Sequence, residues 1–182
     1  SLEFNRRSFL KYSAAAAVAV AGSSLLTGCG EDEYQKTGKI GSTLKLMGTF
    51  KTYKSADAPT KAPAYTGNTF TCTVNIKCTT KKVPLYVTNE CFELTVTHDK
   101  NEKNYAKQYI NIDKEEYDLK ESEGAKDFKL TITPVDIQDG DKVELKYWPR
   151  IQASSGNSGY TRAFCTWKMT AKKDGTGKII LE

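Results

Sequence analysis

The chain has few residues that could do covalent or redox chemistry. Its single histidine is His98. A zinc site would need cysteines and histidines at close intervals, and the sequence has no C-x-x-C pair. A hydroxyl or thiol nucleophile activated by histidine would have to use His98. Each thiol is therefore expected to be buried, disulfide-bonded or modified. The five cysteines are Cys29, Cys72, Cys78, Cys91 and Cys165.

Residues 1–28 have the three parts of a secretory leader. Basic residues come first, a weakly apolar run over 14–21 follows, and small residues lead up to Cys29. The apolar run is shorter than the roughly 20 residues that span a bilayer, so we expect no permanent transmembrane helix. The sequence predicts a leader at 1–28 that is removed in front of Cys29.

The basic part of this leader resembles the twin-arginine (Tat) export consensus, with Asn5 in place of the usual Ser or Thr. The resemblance implies recognition by the Tat translocase, which reads such signals as addresses. It also implies that the chain folds in the reducing cytosol before export. The residues that carry the resemblance are Arg6, Arg7, Phe9, Leu10 and Lys11.

The end of the leader, Leu26, Thr27, Gly28 and Cys29, resembles the bacterial lipobox. The resemblance implies a diacylglyceryl group on the Cys29 sulfur, cleavage before Cys29 and further acylation with a fatty acid such as palmitate. Each buried methylene contributes about 0.8 kcal/mol, and two chains make the anchor stable. We expect a lipid anchor on the extracytoplasmic face of the cell membrane, followed by a flexible tether over 29–42.

From residue 43 onwards apolar and polar residues alternate in short runs. The run from Phe70 to Cys78 is the clearest, and similar runs follow between turn-rich segments. The segments 54–68, 98–104, 113–127 and 153–159 are predicted as turns or loops. Further strands are predicted around Leu44–Phe50, Val83–Val87, Phe92–Val96, Tyr105–Ile112, Phe128–Ile132, Val143–Tyr147, Ala163–Met169 and Lys178–Leu181.

This pattern predicts an all-β domain over 43–182, an antiparallel β-sandwich of about eight short strands. Strands with one apolar face need a second sheet to cover that face. The segments Thr71–Asn75, Phe92–Val96 and Gly140–Leu145 resemble immunoglobulin-like domains of bacterial surface lipoproteins. That resemblance implies an immunoglobulin-like sandwich.

The cysteines of the domain leave two interpretations open. Cys72 and Cys78 share a face of one predicted strand but lie about 20 Å apart along it, so they cannot bond to each other. Cys165 could meet Cys72 across the sandwich and form a disulfide after export. Alternatively, the cysteines pack as small buried hydrophobic residues, which suits a protein folded in the cytosol.

Three other places could carry a site. The loop 152–162 with its flanks is either a binding tip or a plain hairpin loop, and Tyr beside Ser and Gly suits adaptable recognition. His98 is expected at the surface. Asp136, Asp139 and Asp141 are expected in a solvated turn, with a calcium loop as the alternative. The residues of the binding tip would be Trp148, Asn157, Tyr160 and Arg162.

The net charge is +5, and residues 1–28 contribute three basic and one acidic residue to it, so the remainder carries +3. This scattered charge does not indicate nucleic-acid binding. The sequence predicts a non-enzymatic envelope lipoprotein with a binding or scaffolding domain, without cofactor or metal. Its expected partners are membrane lipid through Cys29, the Tat translocase and an envelope protein or glycan. An accessory subunit of an exported redox complex and an envelope hydrolase are the alternatives.

Overall fold

The computed structural model describes residues 35–46, 50–54, 63–152, 158–160 and 163–182. These residues belong to one compact unit of β-strands joined by turns and short 3-10 helices. The all-β prediction is confirmed. None of the helices in the described ranges is long and apolar enough to cross a membrane. The strands are β1 (Gln35–Lys39), β2 (Leu44–Leu46), β3 (Phe50–Lys54), β4 (Ala64–Thr66), β5 (Thr69–Cys78), β6 (Leu85–Val87), β7 (Phe92–His98), β8 (Asn101–Tyr105), β9 (Ile110–Ile112), β10 (Tyr117–Leu119), β11 (Ala125–Ile132), β12 (Lys142–Tyr147), β13 (Arg150–Gln152), β14 (Ser158–Tyr160), β15 (Phe164–Lys173) and β16 (Ile179–Leu181).

The first sheet has the strand order β1, β15, β12, β7, β8, and β16 also pairs with β15. Strand β12 lies antiparallel between β7 and β15, and Leu145 stands opposite both Leu94 and Trp167. Because side chains alternate along a strand, the apolar residues of these three strands share one face of the sheet. They are buried, as the alternation in the sequence predicts.

The second sheet has the order β2, β3, β5, β11, β9, with β4 on β5. The long pair β5 and β11 is antiparallel, so Val74 stands opposite Phe128 and Cys72 opposite Leu130. The inward residues of both sheets form one buried cluster, which is the core of a β-sandwich. Trp167, Tyr147 and Phe70 are among its largest fully buried side chains.

A third, four-stranded sheet has the order β10, β6, β13, β14. Leu85, Val87 and Leu119 are fully buried and belong to the same core cluster. Tyr86 lies between Leu85 and Val87 and therefore on the opposite face. This sheet positions the candidate site described below.

Strand β1 lies inside the segment 29–42 that the sequence predicts as a tether, whose residues 29–34 fall outside the described ranges. It pairs in parallel with β15, and Gly38 stands opposite Trp167. The indole nitrogen of Trp167 donates a hydrogen bond to the Ser42 carbonyl at 2.8 Å. The tether prediction is therefore wrong for residues 35–42. The sequence Gln-Lys-Thr-Gly-Lys has no alternation of apolar and polar residues, so it does not predict a strand. The strand forms because its backbone pairs with β15, which is distant in the chain.

Several predicted loops also contain strands. The predicted turn 98–104 is a two-residue turn at Asp99 and Lys100 that leads into β8. Strand β4 lies in the predicted loop 54–68, and β14 starts near the end of the predicted loop 153–159. The predicted strand Tyr105–Ile112 is interrupted by a 3-10 helix, Lys107–Tyr109, where the chain passes from the first sheet to the second. The charged segment 113–127 contains β10 and the start of β11.

Candidate functional site

The residues predicted as a binding tip do not form one surface in the described part of the chain. Trp148 is only 2% exposed, and its ring lies 5.6 Å from that of Phe164. Placing Trp148 at a binding tip was therefore wrong, because it packs in the interior. Asn157 and Arg162 lie outside the described residues. Tyr160 lies in β14, where the register places it opposite Arg150 of β13.

Arg150 lines a polar cleft beside the hairpin of β13 and β14. Ile151 stands opposite Leu85 in the pair β13–β6, so Arg150 lies beside Tyr86. The guanidinium carbon of Arg150 lies 5.5 Å from the centre of the Tyr86 ring. A cation over the face of an aromatic ring is attracted by the ring quadrupole, so this contact fixes both side chains.

Glu90 connects Arg150 to a second cation. Glu90 Oε2 accepts a hydrogen bond from Arg150 Nη1 at 2.9 Å, and Oε1 accepts one from Lys107 Nζ. Glu90 lies in the 3-10 helix Asn89–Cys91, where its backbone N–H donates to the Thr88 hydroxyl at 3.1 Å. This N-cap satisfies a donor at the start of the turn and fixes the direction in which Glu90 leaves it.

The cleft has a volume of about 410 Å³. Its two remaining acidic residues are Glu115 and Glu116, and Glu116 adopts a positive φ of 50° in the turn before β10. Partial burial, and after it the charge of Glu116, raises the pKa of the Tyr86 hydroxyl above its usual value of 10.0. Tyr86 is therefore a neutral phenol at any ordinary pH. The lining residues are Tyr86, Thr88, Asn89, Glu90, Lys107, Glu115, Glu116 and Arg150.

Several side chains of the cleft are held by contacts with one another. Both oxygens of Glu90 already accept hydrogen bonds from cations, and Arg150 is only 14% exposed. The cleft offers an aromatic surface and fixed donors and acceptors, which orient a polar ligand.

His98 and Asp141 are in contact, which the sequence does not predict. His98 is exposed, as predicted, but its Nδ1 lies 2.6 Å from Oδ1 of Asp141. The predicted solvated turn is wrong for Asp141, which is buried and also accepts a hydrogen bond from the Gln138 N–H. Asp139 instead accepts one from the Lys173 N–H. These contacts join elements distant in the chain, so no local sequence pattern indicates them.

The four cysteines of the domain are free thiols and all are buried. Cys72 and Cys165 are therefore not joined by a disulfide in this structure, and they correspond to the second interpretation, cysteines packed as small buried residues. Cys91 Sγ donates to the Tyr86 carbonyl at 3.5 Å, directly behind the cleft. Burial raises the pKa of the neighbouring Tyr147 hydroxyl well above its usual value.

Comparison with known proteins decides the function of the N-terminus. Residues 3–23 match the family model of the TAT (twin-arginine translocation) pathway signal sequence. The chain carries a Tat export signal. The match includes Arg6, Arg7, Phe9, Leu10 and Lys11, and it indicates recognition by the Tat translocase and export across the cytoplasmic membrane. These residues, and Leu26, Thr27, Gly28 and Cys29 after them, lie outside the described part of the structure.

No curated protein and no solved structure matches the chain. The immunoglobulin-like character of the sandwich therefore stays a prediction.

Proposed function

We propose that this protein is a lipid-anchored protein of the cell envelope that binds a ligand and catalyses no reaction. The observation that carries the proposal is the position of Cys29 behind Leu26, Thr27 and Gly28, six residues after the end of the matched Tat signal. A lipobox-like segment is useful only at the end of an export signal, where the new N-terminus can be acylated. Two acyl chains would hold the domain at the membrane without a spanning helix.

The Tyr86–Arg150 cleft supports a binding role for the anchored domain. Its side chains are already held by a cation–π contact and by the ion pairs of Glu90 with Arg150 and Lys107. A site whose side chains are fixed before binding loses less conformational entropy when the ligand arrives. The cleft lies on the third sheet, on the face opposite the buried residues Leu85 and Val87.

Incorporation of labelled palmitate in the native host tests the anchor. We expect the label in the wild type and in the control Ser24→Ala, which changes a leader residue outside the four that resemble the lipobox. Cys29→Ala should carry no label and should accumulate as precursor or in the soluble fraction. An unlabelled wild-type protein, or a labelled Cys29→Ala variant, would refute the lipid anchor.

Retention by isolated cell envelopes tests the binding role. Purified full-length Cys29→Ala protein should co-sediment with envelopes from the host, because the cleft does not depend on the anchor. Adding Arg150→Ala should reduce the retained fraction severalfold, while adding Lys168→Ala, on the first sheet outside the cleft, should leave it unchanged. Equal retention of all three proteins would exclude the cleft as the binding site.

A further inference from the structure

The size of the Tyr86–Arg150 cleft favours a small polar ligand over a protein surface. Its volume of about 410 Å³ lies in the range of small-molecule sites, roughly 300–1,000 Å³. Protein interfaces have an apolar, aromatic centre. Among the residues whose side-chain burial is described, which leaves out 50–54 and 152–160, Ile180 is the only exposed large hydrophobic side chain, at 45%, and it lies in β16. The eight residues that line the cleft include no aliphatic side chain.

The charge of the cleft disfavours anionic ligands. Its two cations, Lys107 and Arg150, both contact the carboxylate of Glu90. Glu115 and Glu116 add two more negative charges, so acidic residues outnumber basic ones in the lining. A surface with an excess of carboxylates repels phosphate, sulfate and uronate groups. The charge of the lining therefore leaves uncharged and cationic ligands, and the polar groups of the cleft decide between them.

The groups of the cleft match a ring that carries hydroxyls. A sugar hydroxyl both donates and accepts, so it can bind a carboxylate, a carboxamide and a guanidinium in turn. Glu116, Asn89 and Arg150 supply these three groups. Tyr86 adds an aromatic ring, whose face away from Arg150 would cover the C–H face of a pyranose, and a phenol that stays neutral.

We propose that the cleft binds an uncharged oligosaccharide, with a pyranose ring against Tyr86 and its hydroxyls hydrogen-bonded to Arg150 and Glu116. The proposal deepens the proposed binding function and rests on it. It requires both the aromatic ring of Tyr86 and the carboxylate of Glu116, which makes the two contributions separately testable.

A glycan array of uncharged and anionic oligosaccharides, probed with the full chain in detergent, tests the ligand class, and calorimetry then measures affinity for the best glycan. Tyr86→Ala should weaken binding about tenfold, because it removes the stacking surface. Tyr86→Phe keeps the ring and should bind within about threefold of the wild type. Glu116→Gln should weaken binding severalfold, while Glu144→Gln, on β12 outside the cleft, should change nothing.

The same variants show which result overturns the inference. Binding to no uncharged glycan, a preference for anionic glycans, or equal affinity of Tyr86→Ala and wild type would each contradict it. A thermal melt of every variant separates lost binding from lost folding. If Tyr86→Ala does not fold, the pair Glu116→Gln and Glu144→Gln decides the question alone, since both change surface carboxylates.

Treated envelopes distinguish this inference from the proposed function. Periodate cleaves vicinal diols of sugars, and a protease removes envelope proteins. Retention that is lost only after periodate supports an oligosaccharide ligand. Retention that is lost only after protease overturns the oligosaccharide but keeps the binding function. No retention by untreated envelopes contradicts both.

Discussion

Nδ1 of His98 lies 2.6 Å from Oδ1 of Asp141, 43 positions further along the chain. The carboxylate is 2% exposed and the imidazole 47%. Oδ2 of the same carboxylate accepts a hydrogen bond from the Gln138 N–H at 2.8 Å. The contact joins the end of β7 to the turn that precedes β12, so the charge of one histidine affects how two neighbouring strands are held together.

This contact predicts a pH-dependent stability. The hydrogen bond to Asp141 raises the pKa of His98 above its usual 6.5, and the nearby charges of Asp99 and Asp136 act in the same direction, while desolvation opposes them. Because the pKa is higher in the folded state, the contribution to stability is complete below about pH 6.5 and is lost as the pH rises through the folded pKa. Proton NMR of the chain's single imidazole measures that pKa directly.

Asp141→Asn should lower the pKa of His98 and flatten the pH dependence, since the carboxamide can still accept from Gln138 but carries no charge. The control Asp99→Asn should have a smaller effect, because that carboxylate is 90% exposed. A pKa of His98 at or below 6.5 in the wild type would contradict the assignment.

Next to the pairing of β1 with β15, a side chain at position 38 would be crowded. A Cβ at this position would lie 3.0 Å from both Leu44 Cδ2 and Ser42 Cβ. Gly38→Ala should therefore lower the free energy of unfolding by about 1–3 kcal/mol. Gly175→Ala is the matched control, because no atom lies within 4 Å of its Cβ position, and it should cost about 0.5 kcal/mol or less. Urea unfolding of both variants decides whether residues 35–39 are part of the fold.

The bridge at Glu90 should contribute to stability as well as to the cleft. Glu90→Gln removes the charge between Lys107 and Arg150, and we expect a loss of about 1–2 kcal/mol, since Arg150 is mostly buried. Glu144→Gln should cost less than about 0.5 kcal/mol, because the ion pair of Glu144 with Lys168 is long, at 3.7 Å, and Lys168 is exposed. Equal stability of the two variants in denaturant would show that the bridge does not stabilise the fold.

Export should depend on the twin arginines themselves. Replacing both, Arg6→Lys with Arg7→Lys, keeps the charge but removes the planar guanidinium groups, so export should stop and precursor should accumulate in the cytoplasm. The control Lys11→Arg leaves the pair intact and should be exported. Immunoblotting of cell fractions measures the exported share. Undiminished export of the double variant would indicate that the protein uses an export pathway other than Tat.

The sequence predicted the strands whose faces differ in polarity. The run Phe70–Cys78 alternates strictly, and β5 spans Thr69–Cys78. β7 and β12 follow the same rule because each has one face in the core. β1 has no such pattern, since Gln35–Lys39 is polar and owes its conformation to β15. The alternation of Tyr117 and Leu119 could have indicated β10, but charged neighbours concealed it.

The sequence predicted none of the residues that line the cleft. Tyr160, predicted at a binding tip, lies in the same hairpin as the cleft, opposite Arg150, which contacts Tyr86. Tyr86, Glu90 and Lys107 come from three separate elements that meet only in the folded chain. Trp148 was predicted at the surface because an aromatic residue beside a loop can face either the solvent or the core. In the folded chain it packs against the ring of Phe164, which is distant in sequence.

The identity of the group on the Cys29 sulfur tests the account most directly. Mass spectrometry of the N-terminal peptide, from protein purified out of the native host, should find a chain that begins at Cys29 and carries a diacylglyceryl thioether. A free thiol at Cys29, or a mature chain that begins elsewhere, would contradict the lipid anchor.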